Sequence, residues 1–381
     1  MKKILITGGA GFIGQHLTLK LLSLGYEINI LDNFSKQIHA SNDDLPEDIK
    51  GKVSLFKGDI RNRDLLINAL DGVDKIVHLA AETGTGQSMY DIENYFSVNV
   101  QGTALLLDLL QNSKLGSNVK NIVVASSRAI YGEGAYSCSN DGIVYPDQRL
   151  YEHLENGKFE PICPNCSSNV SFEPTNENAP FKPMSYYGIT KQVQEQMILI
   201  YAKNKGINGF GLRYQNVYGP GQSLSNPYTG ILAVFSNLAK EGMPIDIYED
   251  GYESRDFVYI SDVVNATVSA LNLKGNYVGA INVGSGQQTS VLEVAELINS
   301  YFDKFSKISI SGSFRIGDIR HNKADLKLAK KILDYEPKIF FKDGIINFLN
   351  WAHNQNVQKF KTYEDSVLEL QSKGLMGKTN I

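Results

Sequence analysis

The sequence predicts an α/β fold: a Rossmann-type, doubly wound parallel sheet with a smaller mixed α/β C-terminal substrate lobe. Three observations predict it. Short β-rich runs alternate with longer helical patterns through the first half of the chain. A glycine cluster stands at the first strand-to-helix junction. Beyond about residue 216 the segments become shorter and mixed. Strand–helix alternation of this kind is satisfied by parallel strands with crossover helices on both faces.

In chain order, the candidate strands are 3–7, 27–31, 53–57, 75–78 and 121–125, with helical stretches at 13–24 and 95–111. After Ser127 the periodicity fails. Residues 136–182 hold turn formers, charges and all three cysteines; a stretch this long without a clear period is an insertion with its own support or a functional loop. Regularity returns with a helix over 187–203 and a strand over 209–214. The expected organisation is therefore a dinucleotide-binding domain over 1–135 and 183–215, a cysteine-bearing insert over 136–182, a substrate lobe over 216–352 and a C-terminal tail over 353–381. The tail is polar, reading as a helix with a frayed end.

Composition narrows the function classes. Of 381 residues, 42% are apolar and 20% charged, enough for a large core, and the net charge is −4 with both signs interspersed. No basic face for nucleic acid and no polybasic stretch for a membrane surface stand out. No apolar run approaches the roughly 20 residues of a membrane span. The opening Met1-Lys2-Lys3 superficially suits a secretory signal, but the apolar run breaks at once into Thr7-Gly8-Gly9. Three cysteines point to a reducing compartment without a disulfide framework, and the cytoplasm is the expected location.

The glycine cluster is Thr7-Gly8-Gly9-Ala10-Gly11-Phe12-Ile13-Gly14. Gly8, Gly11 and Gly14 fit one dinucleotide spacing, and Gly9, Gly11 and Gly14 fit another. Glycine lets the backbone turn sharply and approach a pyrophosphate, while the helix opening at Phe12-Ile13 aims free N–H groups at that anion. Alone, such a cluster is also compatible with a tight turn that binds nothing. Asp32, followed by Asn33 at the end of the next strand, adds a carboxylate able to accept both ribose hydroxyls of NAD and to repel a 2′-phosphate. NAD is therefore expected, although Lys36 nearby keeps NADP in view.

Tyr187 and Lys191, four residues apart, share one face of a helix. A free phenol titrates near 10, too high for an efficient base at neutral pH, and a neighbouring ammonium lowers that value. Tyr186, at a different spacing, points elsewhere. Ser126-Ser127 ends an apolar strand, where parallel sheets bind their ligands, and a hydroxyl there can hydrogen-bond a reacting alcohol or ketone.

Together these pieces resemble the extended short-chain dehydrogenase/reductase superfamily, the NAD-dependent epimerase/dehydratase group. The resemblance runs from about Lys2 to Pro337. It includes Gly58-Asp59-Ile60-Arg61, His78-Leu79-Ala80-Ala81, Val98-Asn99, Arg213-Tyr214-Gln215-Asn216-Val217-Tyr218-Gly219-Pro220 and Arg255-Asp256-Phe257-Val258-Tyr259. It implies that Asp59 and Ile60 frame the adenine. Leu79, Ala80, Ala81 and Asn99 serve the cofactor cleft. Ser127, Tyr187 and Lys191 are catalytic, and Lys191 also holds the nicotinamide ribose. Asn216, Arg255 and Arg320 grip the diphosphate of a nucleotide sugar, as forked guanidinium donors can; a salt bridge is the plainer reading of Arg320. A homodimer is implied through the helices at 95–111 and 187–203. Related 4,6-dehydratases carry Thr-Asp-Glu where this chain has Ser127-Arg128-Ala129, so dehydration is not expected.

A narrower resemblance is to the dTDP-L-rhamnose 4-epimerase branch. It rests on Tyr131–Tyr136, the cysteine-bearing insert and the segment Gly219–Gly230. It implies transient oxidation at carbon 4 with hydride return to the opposite face. Alternatives on the same residues are a reductase or dehydrogenase that releases its cofactor, a decarboxylase acting on a sugar acid, and a non-catalytic dinucleotide sensor.

Cys138, Cys163 and Cys166 suit a structural zinc, which takes four ligands. Relatives of the branch have histidine three residues after the first cysteine. Here that place is Asp141, with His153 as another candidate. Unmetallated thiols in a polar lid are the alternative. Redox use of Cys163 and Cys166 lacks a supporting context.

Overall fold

A computed structural model of the chain describes residues 2–39, 43–226, 230–302, 305–355 and 361–380, with no side-chain detail at 361 and 362. Seven strands make one sheet: β1 (Lys3–Thr7), β2 (Glu27–Asp32), β3 (Ser54–Lys57), β4 (Lys75–His78), β5 (Asn121–Ser127), β6 (Asn208–Tyr214) and β7 (Val278–Val283). Their order is β7-β6-β5-β4-β1-β2-β3. Every neighbouring pair is parallel, for example Ile6 opposite Ile30 and Val77 opposite Val123. The order reverses between β1 and β4, so the loops leaving these strands part and open a crevice at the carboxyl edge.

Alternate residues of β1 explain the layers. Ile4 and Ile6 enter a core with Leu17, Leu21 and Val263, beneath helices α1 (Phe12–Ser23) and α5 (Ile260–Leu271). Leu5 faces the opposite core with Leu66, Leu106 and Ile198, beneath α2 (Arg63–Leu70), α3 (Gly102–Asn112) and α4 (Tyr186–Lys205). Each such side chain, fully buried, contributes about 1.5–3 kcal/mol of transfer free energy. Helix α4 starts where the Ser185 hydroxyl accepts the Gly188 N–H at 3.1 Å, and stops at Gly206, whose φ of 65° is left-handed.

Three differences from the sequence reading stand out, and the insert takes one of the two forms expected of it. The expected helix over 95–111 is a short helix (Ile92–Tyr95), a π-helical turn (Phe96–Gln101) and α3; the wide turn carries Asn99, completely buried. The C-terminal lobe donates β7 to the main sheet beside β6. Its sequence, Val-Gly-Ala-Ile-Asn-Val, has no period of its own and is extended through pairing. The tail is not simply frayed: a helix over Lys361–Ser372 leads to a strand, Met376–Lys378, antiparallel to Ser313–Arg315. The insert has its own three-stranded antiparallel sheet, with Tyr136–Cys138 between Gly142–Val144 and Ser171–Phe172.

The insert is locked to the C-terminal lobe by charge. Arg149 makes two hydrogen bonds of 2.8 Å to Glu249, and Glu160 meets Arg320 at 2.6 Å. Among the described residues, no helix is long and apolar enough to cross a membrane.

Candidate active site

A cleft of about 470 Å³ runs along the carboxyl edge of the sheet, from the glycine loop past the end of β5 to Asn216. The loop is shaped by absent side chains. Gly8 has φ 70°, and a Cβ there would stand 2.7 Å from the Ala80 nitrogen; one on Gly14 would stand 2.6 Å from the Gly8 oxygen. The turn therefore packs against the loop after β4, leaving Gly11, Phe12 and Ile13 on the cleft wall at the start of α1. Asp32 accepts the Ala10 and Phe34 N–H groups, each at 2.9 Å. His39 Nε2 also lies 3.6 Å from the Oδ1 that takes the Phe34 N–H, so Oδ2 is the oxygen with more room for a ligand. Asn33, Asp59, Ile60, Leu79, Ala80 and Ala81 line the same end.

Asn99 is placed differently. It is buried outside the cleft wall, where it accepts the Glu82 N–H at 2.7 Å and donates to the Glu82 carbonyl and the Thr190 hydroxyl. It braces the loop after β4 against α4, so its part in the cleft is to hold the wall.

Ser127, Tyr187 and Lys191 converge at the middle of the cleft. The two serines divide their work. Ser126 donates to buried Glu195 at 2.5 Å, whereas Ser127 caps the following turn through the Ala129 N–H and hydrogen-bonds Tyr187. Close approach of α4 to this turn requires glycine, because a Cβ on Gly188 would lie 2.6 Å from the Ala129 oxygen. Tyr186 instead packs its ring against Phe96. Lys191 donates to the Ala125 carbonyl at 2.9 Å, with Nζ 5.9 Å from the centre of the Tyr187 ring.

The electrostatics differ from the sequence argument. Burial pushes the Tyr187 phenol above its ordinary range, opposed by the Ser127 hydrogen bond and the Arg128 guanidinium. Burial also brings Lys191 down to about 7. Lys191 is therefore a weaker source of charge than its spacing implied, and Arg128 is the cation acting on the phenol. Arg128 lines the cleft and donates from Nε to Asn216 at 3.2 Å. Burial, then neighbouring Arg255, lower it to about 10, which leaves it charged at neutral pH.

Arg255 pairs with Asp318 at 2.9 Å. Arg315 lies over the Tyr248 ring at 5.1 Å and hydrogen-bonds that side chain, while its buried Nε has no hydrogen-bond partner among the described residues. Burial opposes charge on Asp318, yet Arg255, Arg315, Arg128 and Arg149 hold its carboxyl below the usual range. The guanidinium groups of Arg128, Arg255 and Arg315 thus act on one carboxylate, with Glu133 and Glu253 also near; of the three, Arg128 lines the cleft and is placed to meet an anion there.

Arg320 is not part of this group. It is 2% exposed, and its donors are spent on Glu160, Glu249 and Asp250 at 2.6–3.0 Å. It is a strut between insert and lobe. Sequence reading missed Arg128 and Arg315. The available signals were the position of Arg128 directly after Ser127 and the presence of Arg315 in the same short segment as Arg320.

The cysteines form a separate corner. The Sγ atoms of Cys138, Cys163 and Cys166 and a carboxylate oxygen of Asp141 all lie within 4.8 Å of one another. His153 belongs to the helix Tyr151–Glu155 and is not in this group.

Comparison with known proteins agrees with this geometry. The NAD dependent epimerase/dehydratase family matches residues 4–153 and 162–284. A dTDP-L-rhamnose 4-epimerase from Burkholderia thailandensis is 39% identical over 92% of this chain and 94% of its own. A UDP-N-acetyl-alpha-D-glucosaminuronate decarboxylase from Bacillus cytotoxicus is 28% identical over 92% and 97%. The UDP-glucuronic acid 4-epimerase from Bacillus cereus, solved with UDP-glucuronic acid and NAD, superposes with a TM-score of 0.72 at 26% identity, covering 92% of this chain and 98% of that one.

Proposed function

The chain belongs to the NAD dependent epimerase/dehydratase family, and on that premise we propose that it is an NAD-dependent nucleotide-sugar 4-epimerase. The favoured substrate pair is dTDP-L-rhamnose and dTDP-6-deoxy-L-talose. One observation carries the reading: Ser127, Tyr187 and Lys191 meet in a cleft whose one end is a glycine turn and whose other end leads to Arg128. The dTDP-L-rhamnose preference is supported by the 39% identical relative.

The residues present fit NAD. Missing side chains at Gly8 and Gly14 let the turn pack tightly on the loop after β4 and on itself, which sets Gly11 and the start of α1 on the cleft wall where a pyrophosphate would lie, Asp32 can accept a ribose hydroxyl, and Lys191 has donors to spare for the second ribose. Bound NAD supplies a hydride acceptor that becomes the donor on the return step. Tyr187 takes the proton from the sugar 4-hydroxyl as that carbon is oxidised and gives it back as the carbon is reduced. The Ser127 hydroxyl bridges the reacting oxygen and Tyr187. Arg128, with Arg255 and Arg315 beside it, holds the diphosphate, so the 4-keto sugar can turn over while its nucleotide stays anchored. The reading includes a homodimer through the outer faces of the helices over 95–111 and 187–203; a monomer by sedimentation at micromolar concentration would remove that part.

A second reading has one observation in its favour. Arg128 has no carboxylate within salt-bridge distance among the described residues and lies close enough to Tyr187 to act on it, so it could instead receive the carboxylate of a sugar acid. The test is incubation with dTDP-, UDP-, GDP- and CDP-linked sugars, including a uronic acid, with NMR of the products. Inversion at carbon 4 without net cofactor change is expected. Release of carbon dioxide from the uronic acid supports the second reading, and stoichiometric cofactor consumption rejects both.

A further inference from the structure

Two turns of the insert repeat one design. In the first, Cys138 and Asp141 are separated by two residues and followed by Gly142, whose φ is 70°. In the second, Cys163 and Cys166 have the same spacing and are followed by Ser167, whose φ is 58°. A left-handed serine is unfavourable without compensation. Here it lets the Ser167 and Cys163 N–H groups donate to the Cys163 and Ser168 carbonyls, both at 2.9 Å, closing a knuckle that turns both thiols the same way. The two turns bring these side chains together at the Cys138–Gly142 end of the small sheet.

Their four heteroatoms lie within 4.8 Å of one another, close enough to share one ion. Cys138 Sγ is 3.5 Å from Cys166 Sγ and 3.5 Å from an Asp141 carboxylate oxygen, and Cys163 Sγ is 3.2 Å from that same oxygen. Zinc bonds of about 2.3 Å to sulfur and 2.0–2.2 Å to oxygen give tetrahedral edges of roughly 3.5–3.8 Å. A disulfide would need sulfurs about 2.05 Å apart. The Asn140 amide points an N–H at Cys166 Sγ at 3.6 Å, the outer support a thiolate ligand takes. Within the insert's sheet the buried core is small: Tyr136, Cys138, Val144 and Cys163. So small a cluster recovers little of the entropy of ordering the surrounding chain, the situation in which small folds use a metal.

We propose that Cys138, Asp141, Cys163 and Cys166 form a closed, structural zinc site that fastens the insert. All four ligand positions are taken by protein, so the ion is not catalytic. Its influence on the active site is mechanical. The insert carries Arg149, which donates to the Asp318 carbonyl and to Glu249, and Glu160, which holds Arg320. These contacts fix the segment bearing Asp318, the partner of Arg255. A loosened insert should therefore raise KM for the nucleotide sugar more than it lowers kcat.

The experiment is elemental analysis of the full chain, purified without chelator from zinc-supplemented cells. Mercurial titration of the native protein is followed with a zinc indicator. One zinc per chain, released in step with modification of the three thiols, is the expected result. Cys163→Ser should lose the ion, and Asp141→Cys should keep it. Cobalt substituted into the wild type should show the intense visible bands of a tetrahedral thiolate site, strengthened in Asp141→Cys. Because the titration uses folded wild-type enzyme, it decides the matter even where Cys163→Ser fails to fold. Zinc well below one per chain, with all three thiols reacting at once in the native protein, overturns the proposal. An active epimerase without zinc would sink this site alone, and a zinc-loaded chain with no sugar turnover would sink the catalytic reading alone.

Discussion

Replacing Arg128 with Met separates two roles that the cleft assigns to one guanidinium. The first is electrostatic. Arg128 pulls the Tyr187 phenol down against burial, which pushes it up. A positive neighbour favours phenolate, so its removal must raise the phenol further; the base is then less ionised at a given pH, and the acid limb of the rate profile moves to higher pH. Each unit of that movement corresponds to about 1.4 kcal/mol and a tenfold loss on the limb. The second role is binding. A hydrogen bond to a charged group contributes about 1.5–3 kcal/mol, so loss of the diphosphate contact should raise KM roughly 10- to 150-fold. The assay is kcat and kcat/KM for the preferred nucleotide sugar between about pH 6 and 10, with cofactor content measured on the same samples. Cofactor content should be unchanged, because Arg128 lies away from the glycine turn. Arg128→Lys should restore most of the pH limb, since it keeps the charge, and less of KM, since it lacks the fork. An Arg128→Met enzyme with both limb and KM unmoved would refute the reasoning.

Two further outcomes follow from the same geometry. Tyr187→Phe removes the phenol that hydrogen-bonds Ser127 in the cleft; turnover should fall by about 10²- to 10⁴-fold while NAD still copurifies, and near-normal turnover would exclude Tyr187 as the base. Arg320→Met should cost about 3 kcal/mol of stability, near the lower end for a broken buried pair because Glu160 and Asp250 are partly exposed, whereas Arg315→Met should raise KM with little thermal shift. Thermal unfolding beside kinetics checks the contrast, and the reverse pattern would return Arg320 to the substrate.

How much was legible depended on how local each signal is. The glycine turn, Asp32 and the Tyr187–Lys191 pair are short-range patterns, because a strand-to-helix turn and a helical face fix relative positions over a few residues. Ser127 was separated from Ser126 by the family resemblance alone, and the structure adds a physical reason: Ser126 is taken by Glu195. The arginines were not separable this way. Arg315 and Arg320 stand in one segment with similar surroundings in sequence; only the carboxylates brought from residues 160, 249 and 250 decide that Arg320 is spent and Arg315 is not. The choice between Asp141 and His153 in the insert likewise depended on which of them a turn folds back toward the thiols.

By itself, then, the sequence determined the layered α/β plan, the glycine turn and the Tyr187–Lys191 pairing on one helix face, since each is set by spacing and periodicity along the chain. Tertiary structure alone decided the charge environment. Burial lifts the Tyr187 phenol and brings Lys191 to about 7, and Arg128 becomes the acting cation. It also decided that residues 278–283 complete the sheet and that residues 376–378 close the tail back onto the lobe. Pairing of strands and desolvation of charges depend on what lies across space, and chain spacing carries no record of that.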